Sequence, residues 1–158
     1  MNKENCVLAG VDEVGIGALA GPVVAAAVIL NPDLPIEGIT DSKKITEKKR
    51  KSLSKEIENF SFDWAIGQAS IDEIDQLNIL NASHLAMQRA VSALVCRPTL
   101  ILVDGNKVPE FSVKAESIIK GDEKIMAIGA ASIIAKVFRD ELMKNLAVTY
   151  PSYGFEKH

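Results

Sequence analysis

Apolar residues along the chain fall into short runs broken by polar punctuation, and the runs alternate between two periods. Residues 5–12 end a hydrophobic stretch on acids and predict a first strand, followed by the glycine-punctuated bend Val14-Gly15-Ile16-Gly17-Ala18. Val23 to Leu30 is apolar throughout and predicts a strand covered on both faces. A turn follows at Asn31-Pro32-Asp33 and Pro35. Residues 46–59 interleave charged and apolar positions behind Thr46 and predict a helix, and 62–69 predict a third strand. Ser70-Ile71-Asp72-Glu73 has the form of a capping box, in which a serine and a glutamate three residues on satisfy each other's backbone N–H groups. From Asn78 to Val95, Ile79, Leu80, Leu85, Met87, Val91 and Leu94 recur at the spacing of a mostly buried helix, stopped by Arg97-Pro98. Strands are expected at 99–104 and 111–119, then a long helix over 124–148. Ala127, Ala131 and Ala135 form a stripe on that helix, suited to close packing on a sheet. Strands first, then alternating helix and strand, predict an α/β domain with a mixed central sheet flanked by helices.

Composition changes this picture little. A chain of 158 residues with 47% hydrophobic and 25% charged residues suits one globular domain spanning 1–158. No apolar run approaches the roughly 18 residues of a membrane span, and the first residues lack the basic-then-apolar order of a secretory signal. Cys6 and Cys96 sit in apolar surroundings and are expected to be buried thiols in a reducing, cytoplasmic setting. The net charge of −3 does not suggest a nucleic-acid ligand, but its distribution does. Lys43, Lys44, Lys48, Lys49, Arg50, Lys51 and Lys55 crowd one segment that holds a single acid, Glu47. Such a block suits either a phosphate backbone or a solvated helix face.

The candidate chemistry lies where apolar segments end in acids: Asp12-Glu13, Asp104-Gly105 and Gly121-Asp122. Sites in open α/β sheets form at the carboxyl ends of strands. Several carboxylates there suit hard divalent ions, which take oxygen ligands. For Asp122 a purely structural role, capping the helix that follows, is a concrete alternative. Neighbouring residues 12 and 13 would leave a regular strand on opposite faces, so Gly15 and Gly17 are expected to supply the irregularity that gathers both. His84 reads as a packed core histidine, and the Arg139/Asp140 pair as structural. Zinc spacings, phosphate loops and a serine nucleophile are absent.

In order and spacing, Asp12-Glu13-Val14-Gly15-Ile16-Gly17 through Ala26, Asp41-Ser42-Lys43-Lys44, Asn78 to Ser83, Val103-Asp104-Gly105, Gly121-Asp122, Ala130 to Asp140 and Tyr150 to His158 resemble the motifs of ribonucleases HII. The resemblance runs from about residue 7 to the end. It implies the ribonuclease H-like fold and a catalytic, metal-holding quartet at Asp12, Glu13, Asp104 and Asp122, with Mg²⁺ or Mn²⁺, two ions to a site. It further implies cleavage of the RNA strand of RNA/DNA hybrids and of single ribonucleotides embedded in duplex DNA, leaving 3′-hydroxyl and 5′-phosphate ends. Gly15, Ile16, Gly17, Ser42, Lys43, Asn78 and Asn81 fall on substrate-contacting positions, and a monomer is expected. Two departures stand out. Ile16 replaces the arginine of the family's Gly-Arg-Gly bend, and the chain stops at His158, before the family's Lys-Gly-Tyr and its basic helical segment. Those departures keep open an alternative, a catalytically impaired or silent hybrid-binding remnant. A different two-metal phosphohydrolase on a related fold is a third reading, which the spacing of the motifs disfavours.

Overall fold

The computed structural model describes residues 7–15 and 21–149, and of Ser42 the backbone. Expectations for Cys6, Ile16, Gly17 and the closing Tyr150–His158 motif therefore lie outside the described residues. Five strands form one sheet in the order β3-β2-β1-β4-β5. β2 (Val23–Ile29) pairs antiparallel with both β1 (Leu8–Val14) and β3 (Asp63–Ala69). β4 (Leu100–Asp104) and β5 (Lys114–Ile118) run parallel to β1. The helices are α1 (Glu47–Phe60), α2 (Ile71–Leu77), α3 (Ile79–Ala93), the single turn α4 (Gly121–Lys124) and α5 (Met126–Thr149), with a 3-10 turn over Ile39–Lys44. The mixed sheet flanked by helices is the architecture expected from the alternation of periods.

β2 is the central slab, buried at all seven positions. Its odd-numbered side chains join Ala9, Val11, Ala82, Ala86 and Ala90 in a core under α3. Its even-numbered side chains join Leu53, Ile57, Ile133 and Ile134 in a core under α1 and α5. The expected stripe holds, since Ala127, Ala131 and Ala135 are all buried. The contact is closest at Gly10 of β1, where an added Cβ would overlap the carbonyl of Ala127. Gly67 of β3 is pressed against the α3 backbone at Ala86 and Ala90 in the same way. Only a residue without a Cβ permits such approach.

Local signals read from the sequence recur in the coordinates. Thr46 caps α1 by accepting from the Lys49 amide at 3.1 Å. The capping box at Ser70 and Glu73 is complete, with bonds of 3.0 and 3.1 Å. Six expectations change. α3 buries its small residues, Ala82, Ser83, Ala86 and Ala90, together with Met87, and leaves Leu80 exposed, because close packing on Gly67 admits only short side chains. It also ends at Ala93, before Pro98. The strand expected at 111–119 shortens to Lys114–Ile118, and the last helix is divided by Ile125 into α4 and α5. Cys96 is free and only half-buried, and His84 is likewise half-buried.

Candidate active site

The parallel pairing of β1 and β4 brings the acids together. Their ladder runs from Leu8–Leu100 to Val11–Val103, so Asp12 and Asp104 stand one position beyond it, side by side at the same edge. β5 continues the register, with Asp104 opposite Ile118. The chain then turns through Lys120, whose φ of 56° is left-handed, into α4. That turn seats Asp122 against Asp104, with the Asp122 amide donating to Asp104 Oδ1 at 3.2 Å. Asp122 lies inside α4 rather than at a cap. The structure thus replaces the helix-capping reading of this residue. Its carboxylate instead meets Lys43 Nζ of the 3-10 turn, at 3.1 Å.

Asp12 and Asp122 are each only 5% exposed, an expensive setting for charge without a partner. Burial, then the charge of Asp104, holds the Asp12 carboxyl well above the usual range, against the opposing bond donated by the Glu13 amide at 2.8 Å. Burial and Asp104 push Glu13 up to about 7. Asp104 is raised chiefly by burial, with backbone N–H donors working the other way. The hydrogen bond and charge of Asp122 raise the Lys43 ammonium. These are the signs of carboxylates crowded together and short of positive charge.

The β1–β2 ladder remains regular through Val14–Val24. Asp12 and Glu13 therefore leave opposite faces of the strand, and the part of the bend at Ile16 and Gly17, expected to help bring both to one site, lies outside the described residues. Both still lie close enough to Asp104 to feel its charge. Among the described residues no three acidic, histidine or cysteine groups converge tightly enough to enclose an ion as the side chains stand. The donor set nevertheless suits a hard cation: Asp12, Asp104 and Asp122 gather at one edge, Glu13 lies near enough to feel the charge of Asp104, and the Lys43 ammonium sits against Asp122.

Gly15, with φ of 114°, begins the bend, and an added Cβ there would lie 2.9 Å from Arg139 Nε. Arg139 is 2% exposed and donates from Nε to the carbonyl of Pro22 at 3.0 Å, so it secures both described flanks of the bend. Asp140 pairs with Lys136, at 3.1 Å, and its charge also acts on Arg139. Consecutive helix positions face different directions, whereas positions four apart align. Asn78 caps α3 by accepting from the Asn81 amide at 3.0 Å. Both asparagines are exposed, and among the described residues neither bonds to the four acids. Arg50, Ser132 and Lys136, which sequence reasoning left out of the site, border a cavity beside Glu13 and Lys43. Only the basic block had hinted at Arg50.

A parallel strand pair ending in the acids Asp12 and Asp104, with the buried Asp122 against them, on a sheet of this order, marks a domain of the ribonuclease H-like class. A family model described as Ribonuclease HII matches residues 9–158. Ribonuclease HII of Shewanella halifaxensis is 59% identical over 150 residues, which cover 95% of this chain and 74% of that one. The ribonuclease H2 crystal structure from Pyrococcus horikoshii superposes with a TM-score of 0.80 at 28% identity, covering 90% of this chain and 76% of that one. Bst-RNase HIII in complex with Mn²⁺ shares the fold, with a TM-score of 0.73 at 20% identity, over 91% of this chain and 55% of that one. The chain belongs to the ribonuclease HII family, endoribonucleases with ribonuclease H activity on RNA/DNA hybrids.

Proposed function

We propose that the chain hydrolyses the RNA strand of hybrids, and single ribonucleotides in duplex DNA, with divalent ions held by Asp12, Glu13, Asp104 and Asp122. The observation that carries the reading is the juxtaposition of Asp12 and Asp104, with Asp122 bonded to Asp104 through its amide. The crowded carboxylates keep abnormally high proton affinity without metal, and a bound cation would relieve that strain. When bound, two Mg²⁺ or Mn²⁺ ions supply activation of the attacking water and stabilisation of the leaving oxygen. The Mn²⁺ complex of a protein with this fold accords with that choice.

The remaining roles belong to the chain's own groups. Lys43 neutralises Asp122 and, being 64% exposed in its side chain, is free to turn towards a strand phosphate. Arg139 holds the flanks of the glycine bend, the part that resembles the family's ribose-reading element. The bend's backbone can meet a 2′-hydroxyl, the group that distinguishes RNA from DNA. Ile16 adds no charge there. Asn78 caps α3, and both Asn78 and Asn81, being exposed, are open to contact with the substrate. One domain over 1–158, acting as a monomer in the cytoplasm, completes the proposal.

The test is cleavage of a labelled duplex carrying one ribonucleotide, in Mg²⁺ or Mn²⁺, with EDTA as control. A metal-dependent cut 5′ of the ribonucleotide supports the proposal. Cleavage of long hybrid alone removes its single-ribonucleotide half. No cleavage of either substrate refutes it and leaves the silent remnant.

A further inference from the structure

The ion pair between Lys43 and Asp122 joins a group that can move to one that cannot. Asp122 is buried in α4, and its Oδ2 meets Lys43 Nζ at 3.1 Å. The root of the Lys43 side chain is fixed by packing. Ile39, in the same 3-10 turn, is buried against Gly129 of α5, where an added Cβ would lie 2.8 Å from Ile39 Cγ2. The same Cβ would lie 2.9 Å from the carbonyl oxygen of Asp122, so one glycine seats both the turn and α4 on the long helix. With both backbones held, the part free to swing is the Lys43 side chain, 64% exposed at the end of its flexible stem. Lys44, the next residue, is exposed too, but it forms no ion pair among the described residues.

We propose that Lys43 is a built-in counter-ion to Asp122 that divalent-metal uptake displaces, so that its ammonium is released towards the nucleic acid only when the acids hold metal. The inference rests on the proposed function and deepens it by coupling the two ligands of that site. A buried carboxylate needs a compensating cation, and Lys43 supplies a single charge from a side chain able to withdraw. Hard divalent ions seek the same carboxylate oxygens with twice that charge, and like charges repel. Asp122 therefore keeps one partner or the other, and Lys43 is the one built to leave. Its released ammonium is then unpaired and suits a backbone phosphate. Such coupling is reciprocal: a phosphate that draws Lys43 away tightens the hold of the acids on metal by the factor that metal tightens the hold on phosphate. The ion pair thus orders assembly of the site, because without metal the lysine stays turned in towards the acids.

The experiment titrates Mn²⁺ calorimetrically into the chain without nucleic acid, for the parent, Lys43→Gln, Lys43→Arg and Lys44→Gln. Lys43→Gln removes the competitor and should bind Mn²⁺ about three- to tenfold more tightly than the parent. Lys43→Arg keeps the charge and should stay near the parent. Lys44→Gln removes a charge from the same turn without breaking the pair, and should stay near it too. A second measurement needs no variant and carries the test if Lys43→Gln does not fold. Amine-selective modification of the parent, read by mass spectrometry, should rise severalfold at Lys43 on addition of Mn²⁺ and stay constant at Lys44. Parental or weaker Mn²⁺ affinity in Lys43→Gln, equal tightening in Lys44→Gln, or Lys43 modification indifferent to Mn²⁺ overturns the displacement. Any of these beside a parent that binds Mn²⁺ and cleaves hybrid leaves the proposed function standing, whereas a parent that binds no Mn²⁺ and cleaves no substrate refutes that function and the displacement with it.

Discussion

Glu13 ties the stability of the metal-free protein to pH. Its carboxyl titrates at about 7 in the folded chain against an ordinary 4.5, through burial and the charge of Asp104. Between those values the native chain keeps a proton that the unfolded chain has lost, so stability falls as pH rises. The contribution is neutral below 4.5, declines by about 1.4 kcal/mol per pH unit through the window, and levels off above 7. The full effect is about 3 kcal/mol, an upper figure, because Glu13 keeps some contact with water. Urea denaturation in EDTA from pH 4 to pH 8 measures it for the parent and for Glu13→Gln, which cannot ionise. The glutamine variant should match the parent at the acid end and exceed it by up to about 3 kcal/mol at pH 8. Mn²⁺ should then restore stability to the parent at pH 8 by mass action on the folded state. Parallel curves for parent and variant across the window would refute the assignment of the strained proton to Glu13.

Other perturbations probe separate parts of the structure. Asp104→Asn should leave the fold intact and abolish cleavage, because a neutral amide is a poor ligand for a hard cation; near-normal turnover in the hybrid assay would remove Asp104 from the site. Gly67→Ala should lose about 3 kcal/mol or more in denaturant melts, because its Cβ would strike the α3 backbone, which cannot step aside as a side chain can. Ser83→Ala should gain up to about 1 kcal/mol, since the buried Ser83 hydroxyl has no hydrogen-bond partner among the described residues. Thermal melting of that variant decides the point.

Much of this arrangement is legible in the sequence because its signals are local. A capping box needs only Ser70 and Glu73, and the all-apolar run of β2 announces a strand buried on both faces. The acids at 12, 104 and 122 stand out because each follows an apolar segment. What the sequence conceals depends on contacts distant along the chain. Gly10 and Gly67 become obligatory only once α5 and α3 lie on them. Leu80 fits the helical period but falls outside the face that α3 presents to Gly67. Asp122 looks like a cap until its amide is seen bonded to Asp104, eighteen residues earlier. That Arg139 reaches Pro22 and Asp140 reaches Lys136 shows only once the helix is placed on the sheet.

The contact at Gly10 carries a consequence for how the domain can diverge. Two positions before Asp12, the backbones of β1 and α5 touch with no side chain between them. That contact acts as a datum: the seats of Ser132 and Lys136, within about two and a half turns further along the same helix, are measured from the strand that ends in the acids. Bulk added at Gly10 would tip the helix and shift both groups relative to Asp12 at once. Drift in the surrounding surface, including the exposed lysines of α1, leaves the datum untouched. The spacing between the acidic edge and the basic cavity is thus set by two backbones rather than by side-chain packing, and so survives broad change in the rest of the chain.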